Sequence, residues 1–375
     1  MTLTTFDNAY RDRDAAALAT DAPVIGYLGN TVPVEMIRAA GAFAQQITGS
    51  PRDDTPDALI HMEPFFDGWV LSVFQRWLDG RLDHLSALVI PRSSEVTLQL
   101  YYHMLEQDRT APRKGRPAPV LFDILHTPFD ATARYNAGRM VALRDRLSTI
   151  TGQPVTDAAL AEEIRRADAI RTALRNLNDL RLGDRPRLTG AEMLRITLAS
   201  TVMDPQAVLE ACHALTDAAA ALPERTGPRL VLTGTPHDTD TFHRTVEATG
   251  ALITANDHGQ GDWWFAHLVG PGDPMARLTD HYHLHAPATR SYPRSAGDTR
   301  LLDAAARGRA EACVFFTEEH DDALGFDYPT QRDLLAAKGI PTLFLKNQPY
   351  RTPDTAAQTA EIAAFLADLK AEVPA

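Results

Sequence analysis

The side chains of this chain best able to move protons or hold ligands gather in short loop segments: Asn30 to Pro33, Arg92 to Glu95, Thr235 to Asp238, Asp257 to Gly261 and Glu318 to Asp322. Imidazole titrates near neutrality, so His258 and His320 are the expected proton-transfer groups, with Glu95 as an accompanying carboxylate. His237, Asp238 and Asp240 add acid-base capacity, although "HDTDT" also reads as a helix-capping cluster. Asn30, Thr31, Pro33 and Glu35 open a helix whose first amides suit phosphate. Together with His237 and Asp257 they are the expected substrate contacts.

Other chemistry competes for the same residues. His258, His320 and a carboxylate from Glu95, Glu318, Glu319 or Asp321 would suit a single zinc or iron ion, while ordinary loop polarity explains the same side chains without a metal. In "DHYHLHAP", His281, His283 and His285 share one face if the segment is extended; if the preceding helix continues, only His281 and His285 remain neighbours. Surface histidines beside a turn are the simpler expectation, and no metal is assigned. Trp263 and Trp264 suit either an acyl pocket or the core. "DHGQG" lacks the third glycine and following helix of a nucleotide loop. There is no G-x-S-x-G elbow, and Ser93 and Ser94 have no base partner in the sequence.

The elements that must position these loops alternate in an α/β manner. Apolar strands are expected at "PVIGYLG", "LSALVIP" and "APVLFDIL", with helices at "PVEMIRAAGAFAQQITG", closing near Gly49, and at "WVLSVFQRWLDG" and "EVTLQLYYHMLEQ". From about Phe129 to Leu222 the pattern is wholly helical, one helix ending on Gly152 and the next capped by Thr156 or Asp157. The charged faces there read as solvated surface. "RLVLTG", "ALITAN", "EACVFF" and "IPTLFLK" then repeat the strand cycle. The expected fold is α/β, with two doubly wound parallel-sheet lobes (residues 1–128 and 226–375) and a helical segment (129–225) between them. Ligands in such sheets collect beyond the carboxyl ends of the strands, which is where the five loops fall.

Composition excludes several classes. A formal charge of −12, from 37 basic and 49 acidic residues, opposes general nucleic-acid binding. No apolar run approaches membrane-spanning length and the N-terminus has no signal-peptide pattern, so a cytoplasmic location is expected. The two cysteines, Cys212 and Cys313, read as buried small hydrophobes. Two thiols are too few for an iron-sulfur cluster, which needs three or four.

The order of "GNTVPVEMIRAAGA", "LSALVIPRSSE", "TGQPVTDAALAEEIRRADAIR", "RLVLTGTP", "ITANDHGQGDWW" and "GIPTLFLKNQPY" resembles the family of 2-hydroxyacyl-CoA dehydratase and benzoyl-CoA reductase subunits, over about Gly26 to Tyr350. The resemblance implies a two-lobed α/β subunit that pairs with an unlike homologue. It further implies a [4Fe-4S] cluster on three cysteines and an electron delivered by an ATP-hydrolysing activator.

The chain departs from that pattern at all three cysteine positions. Ser94 stands at the first, Gly259 at the second, and His320 is the counterpart of the third. Serine and glycine do not replace thiolate on iron, so no [4Fe-4S] cluster is expected on this chain. What the resemblance then implies is a cluster-free subunit acting on an acyl-CoA or related thioester, as a homo-oligomer or beside a cysteine-bearing homologue. The alternatives are a stand-alone lyase or metal-dependent enzyme, and a non-catalytic binding or assembly protein.

Overall fold

The computed structural model describes residues 3–288 and 292–372. Two parallel four-stranded sheets carry the fold. The first contains β1 (Val24–Tyr27), β2 (Phe43–Gln46), β3 (Ala87–Pro91) and β4 (Ala118–Phe122) in the order β2-β1-β3-β4. The second repeats that order with β5 (Arg229–Gly234), β6 (Leu252–Asp257), β7 (Ala312–Glu318) and β8 (Thr342–Gln348), as β6-β5-β7-β8. Strands β1, β3, β5, β6 and β7 are almost entirely buried, which explains their unbroken apolar runs. In each sheet the order reverses beside the first strand, so the loops after β1 and β3, and after β5 and β7, flank a topological switch point.

The expected helix from Pro33 to Gly49 is not continuous. It runs only from Val34 to Ala39; Gly41 then turns the chain with φ +74, and Phe43–Gln46 pairs with β1 from Val24↔Phe43 to Tyr27↔Gln46. A glycine in the left-handed region ends a helix readily, and the open edge of β1 offers a ladder that outweighs helix propensity in "FAQQ".

Helices Asp130–Thr151, Asp157–Leu182, Gly190–Ser200 and Pro205–Asp217 form the segment between the sheets. Gly152 caps the first at φ +72, and Thr156 caps the second through its hydroxyl, which accepts from the Ala159 amide. These helices are not merely solvated on their charged faces. Arg171 and Arg181 are buried, Arg171 bonded to Glu35 in the first lobe and Arg181 to Asp262 in the second. Helices without a sequence expectation include Thr4–Arg11 and Ser295–Gly308. The former buries Phe6 in the core of the helical segment. Among the described residues, no helix is long and apolar enough to cross a membrane.

Candidate functional site

The carboxyl ends of both sheets open on one cleft. Gln46, at the end of β2, donates to Gln260 (2.8 Å) and accepts from Thr201 (2.9 Å). Past β8, Tyr350 lies so close to Gly49 and Gly68 that a Cβ on either glycine would come within 2.6 Å of it. The cleft encloses about 1070 Å³ and is lined from the N-terminal helix, the loop after β2, the loop after β5 and the exit of β8. Arginines enter from each side: Arg11 and Arg13, Arg52, Arg76 and Arg81, Arg195 and Arg244, and Arg351.

Its floor is acidic. Asp238 accepts the Tyr350 hydroxyl proton at 2.8 Å, and burial pushes Asp238 up to about 6 against the pull of Tyr350 and Arg13. Glu318 is pushed well above the carboxylate range by burial, reinforced by Asp238, Asp67 and Asp321; its Oε2 has no hydrogen-bond partner among the described residues. Burial and Asp321 likewise bring Asp67 up to about 6. Arg13 reaches this floor from the other lobe. Its Nη2 donates to Gln46 (3.2 Å) and Thr201 (3.4 Å), while its buried Nη1 has no partner among the described residues. The cleft therefore combines Glu318, a carboxyl that burial favours in its protonated, donating form, with a guanidinium still able to take an oxygen ligand.

The expected site residues separate into several environments. His237 lines the cleft with its Nε2 unpartnered. His258 is fully buried against it, with ring centroids 5.2 Å apart, and His243 completes a cluster at 5.2 Å from His237 and 5.7 Å from His258. Burial pushes all three well below the usual histidine value, so they are neutral at neutral pH. His320 is exposed at φ +73 on the turn after β7, where its charge favours ionised Asp67. Glu95 is the exposed first residue of the helix Glu95–Thr110, and Ser94 caps that helix in a reciprocal box with Thr97. Gly259 lies where three loops meet, since a Cβ there would sit 3.5 Å from Pro236 and 3.6 Å from Asn30. No hydrogen bond or ring contact among the described residues joins Ser94, Gly259 and His320.

Thr31 is buried with its hydroxyl unpartnered, and Asn30 donates to the Pro287 carbonyl at 2.9 Å. Pro33 precedes the short helix that carries Glu35. Glu35 is fully buried; burial alone would raise its value, but Arg171 at 2.5 Å wins and holds it low, and Tyr282 donates to its other oxygen at 2.8 Å. Asp257 is saturated by Trp263 (2.7 Å), Arg300 (2.9 Å) and Thr233 (3.2 Å). Asp240 makes no side-chain cap; it pairs with Arg195 at 2.9 Å and accepts from Tyr10 at 3.1 Å. Trp264 packs between the cores of the first lobe and the helical segment. The run His281–His285 is a π-helical turn: His281 and His283 are buried and His283 donates to the Thr127 carbonyl at 2.7 Å, so the extended three-histidine face is not formed. Among the described residues, no three or more His, Cys, Asp or Glu side chains are placed to hold a metal ion, so the single-ion grouping of His258, His320 and a carboxylate is not assembled.

Sequence reasoning missed Arg13, Tyr350 and the proton-holding environment of Glu318. Arg13 follows a helix that the sequence pattern did not reveal. Tyr350 was visible only as the end of "KNQPY", because its role depends on glycines some three hundred residues away.

Residues 30–368 match the family described as 2-hydroxyglutaryl-CoA dehydratase, D-component. The chain belongs to that family. It is 21% identical over 340 residues to the (R)-phenyllactyl-CoA dehydratase beta subunit of Clostridium sporogenes, an alignment covering 87% of each chain. The iron-sulfur cluster that the family resemblance implies does not fit this D-component chain. Cys212 sits in the core of the helical segment and Cys313 in β7, both fully buried and in separate cores. Burial pushes the Cys212 thiol up to about 12 and raises Cys313 as well, so neither is a ready thiolate.

Proposed function

We propose that this chain is a cluster-free subunit of a 2-hydroxyacyl-CoA dehydratase-type complex that holds an acyl-CoA, or a related thioester, in the interlobe cleft. A homologous partner supplies the iron and the electron. The observation that carries this reading is the cleft itself, with arginines from both lobes around a floor on which burial pushes Glu318 well above the carboxylate range and Asp238 up to about 6. Guanidinium groups match the phosphates of coenzyme A, and donors on the floor match a thioester carbonyl or a departing hydroxyl. The beta-subunit name of the Clostridium sporogenes relative supports a heteromeric assembly. The chain's own part is to bind and orient the thioester and to hold a proton at Glu318 or at the Tyr350 to Asp238 pair.

Calorimetric titration of the intact chain with coenzyme A and an acyl-CoA tests this, alongside iron and acid-labile sulfide analysis after oxygen-free purification and capture of partners from the native host. Expected are binding that weakens with salt and falls at least about tenfold in Arg13→Gln, little iron, and a cysteine-bearing homologue as partner. Stoichiometric iron and sulfide on the isolated chain, or coenzyme A binding indifferent to Arg13, would overturn the proposal.

A second reading, a stand-alone lyase, draws on Glu318, a cleft acid whose Oε2 is unpartnered. Turnover of a hydroxyacyl thioester by the purified chain alone, lost in Glu318→Gln, would select it.

A further inference from the structure

A second cavity, of about 610 Å³, shares no lining residue with the interlobe cleft. Its walls are the chain leaving β4, the π-helical turn His281–His285 and the helix Ser295–Gly308. The feature without a structural explanation is His126. It is 8% exposed and lines this cavity, yet its Nε2 has no hydrogen-bond partner among the described residues. Burial, reinforced by His283, pushes His126 down to about 4, so at neutral pH the ring is uncharged and carries a single N–H. A buried ring nitrogen left unmatched costs free energy that a ligand atom would recover.

The opposite wall carries charge. Arg300 and Arg307 lie seven residues apart on one face of their helix. Arg300 is fixed, its Nε bonded to Asp257 at 2.9 Å and its guanidinium stacked 4.0 Å over the Trp263 ring. Among the described residues Arg307 makes no ion pair and Asp303 is the one carboxylate lining the cavity. The rest of the wall includes Tyr292 and Leu284, both at least half exposed, with the Phe129 ring tilted against Tyr292 at 5.9 Å. Exposed aromatic and aliphatic surface beside a cation and an unmatched imidazole is the pattern of a small-molecule site, in which apolar walls bind the body and a few polar groups fix its orientation.

We propose that this cavity binds an organic carboxylate with an aromatic or apolar body, the carboxylate held by Arg307 and the His126 Nε2–H and the body lying against Tyr292 and Leu284. A guanidinium and an imidazole N–H both donate, which suits an acceptor-only head group. A hydrophobic body distinguishes this ligand from a bare inorganic anion.

Calorimetric titration of the full chain at neutral pH with benzoate, its uncharged isostere benzamide, and inorganic phosphate tests the assignment. Benzoate is expected to bind saturably, with benzamide at least about tenfold weaker and phosphate a poor competitor. Arg307→Gln and His126→Phe should each weaken benzoate by a similar factor, whereas Arg13→Gln, in the other cleft, should leave it unchanged. Should His126→Phe fail to fold, Arg307→Gln on its exposed helix face carries the test alone. Equal affinity for benzoate and benzamide, displacement by equimolar phosphate, indifference to Arg307, sensitivity to Arg13, or no saturable binding would each overturn it.

Discussion

Tyr350 donates to Asp238 across 2.8 Å, and through this bond the exit of β8 is tied to the loop after β5 at the point where the second lobe touches the first. Burial sets Asp238 at about 6, and Asp67 on the facing lobe also at about 6, both raised from 3.8. A carboxyl whose folded value lies above its unfolded one stabilises the fold through its bound proton. That contribution is complete below about pH 4 and disappears as pH rises through about 6. Urea midpoints measured across this window should fall more steeply for the natural chain than for Asp238→Asn. Parallel curves would remove Asp238 as the source.

The contact between the lobes depends on missing side chains. A Cβ on Gly68 would lie 2.6 Å from the Cβ and Cδ1 of Tyr350, and one on Gly49 would lie 2.8 Å from the Trp69 Cα. Gly68→Ala should therefore destabilise by about 1–3 kcal/mol through overpacking. Removing the ring in the double variant with Tyr350→Ala should return part of that loss, and a strictly additive double-mutant cycle would show that the two residues do not press on each other.

Glu35 shows how a residue at an expected ligand loop can serve the fold. Its carboxylate is fully buried, with Arg171 at 2.5 Å and Tyr282 at 2.8 Å, one partner from the helical segment and the other from the π-helical turn. Removing Arg171 strands a buried negative charge, so Arg171→Leu should cost about 3–5 kcal/mol. Arg171→Leu combined with Glu35→Gln should cost less, because the stranded charge is gone. Chemical denaturation of the three proteins checks the order.

The strands, the two lobes and the helical segment were legible because buried parallel strands write unbroken apolar runs and amphipathic helices write a 3.6-residue period. Gly152 signalled its cap directly, and of the two candidates for the next helix, Thr156 and Asp157, it is Thr156 that caps. The failure at "GAFAQQ" was one of competition: alanine and glutamine favour helix, and only the sheet edge, absent from local sequence, decides otherwise. The loops were located correctly for the same topological reason, whereas the surroundings of their side chains depend on packing that local sequence does not record. His258 is indistinguishable in sequence from a cleft histidine, and only the packing of His237 and His243 against it reveals a sealed, neutral ring. Arg13 and Tyr350 owe their places to contacts between distant parts of the chain, which no local pattern records.

Ser94, Gly259 and His320, read from the family resemblance as counterparts of its cysteines, belong to separate local structures, and this has a thermodynamic consequence. Ser94 accepts from the Thr97 amide as a helix cap, whereas Gly259 has ordinary van der Waals room for a Cβ beside Pro236 and Asn30. Ser94→Ala should cost about 1 kcal/mol through the lost cap. Gly259→Ala should stay within about 0.5 kcal/mol, because it meets no clash and its backbone is not in the left-handed region. The two sites share no partner, so the double variant should equal the sum of the singles within about 0.5 kcal/mol in urea denaturation. A larger coupling would mean that the turns after β3 and β6 act as one site.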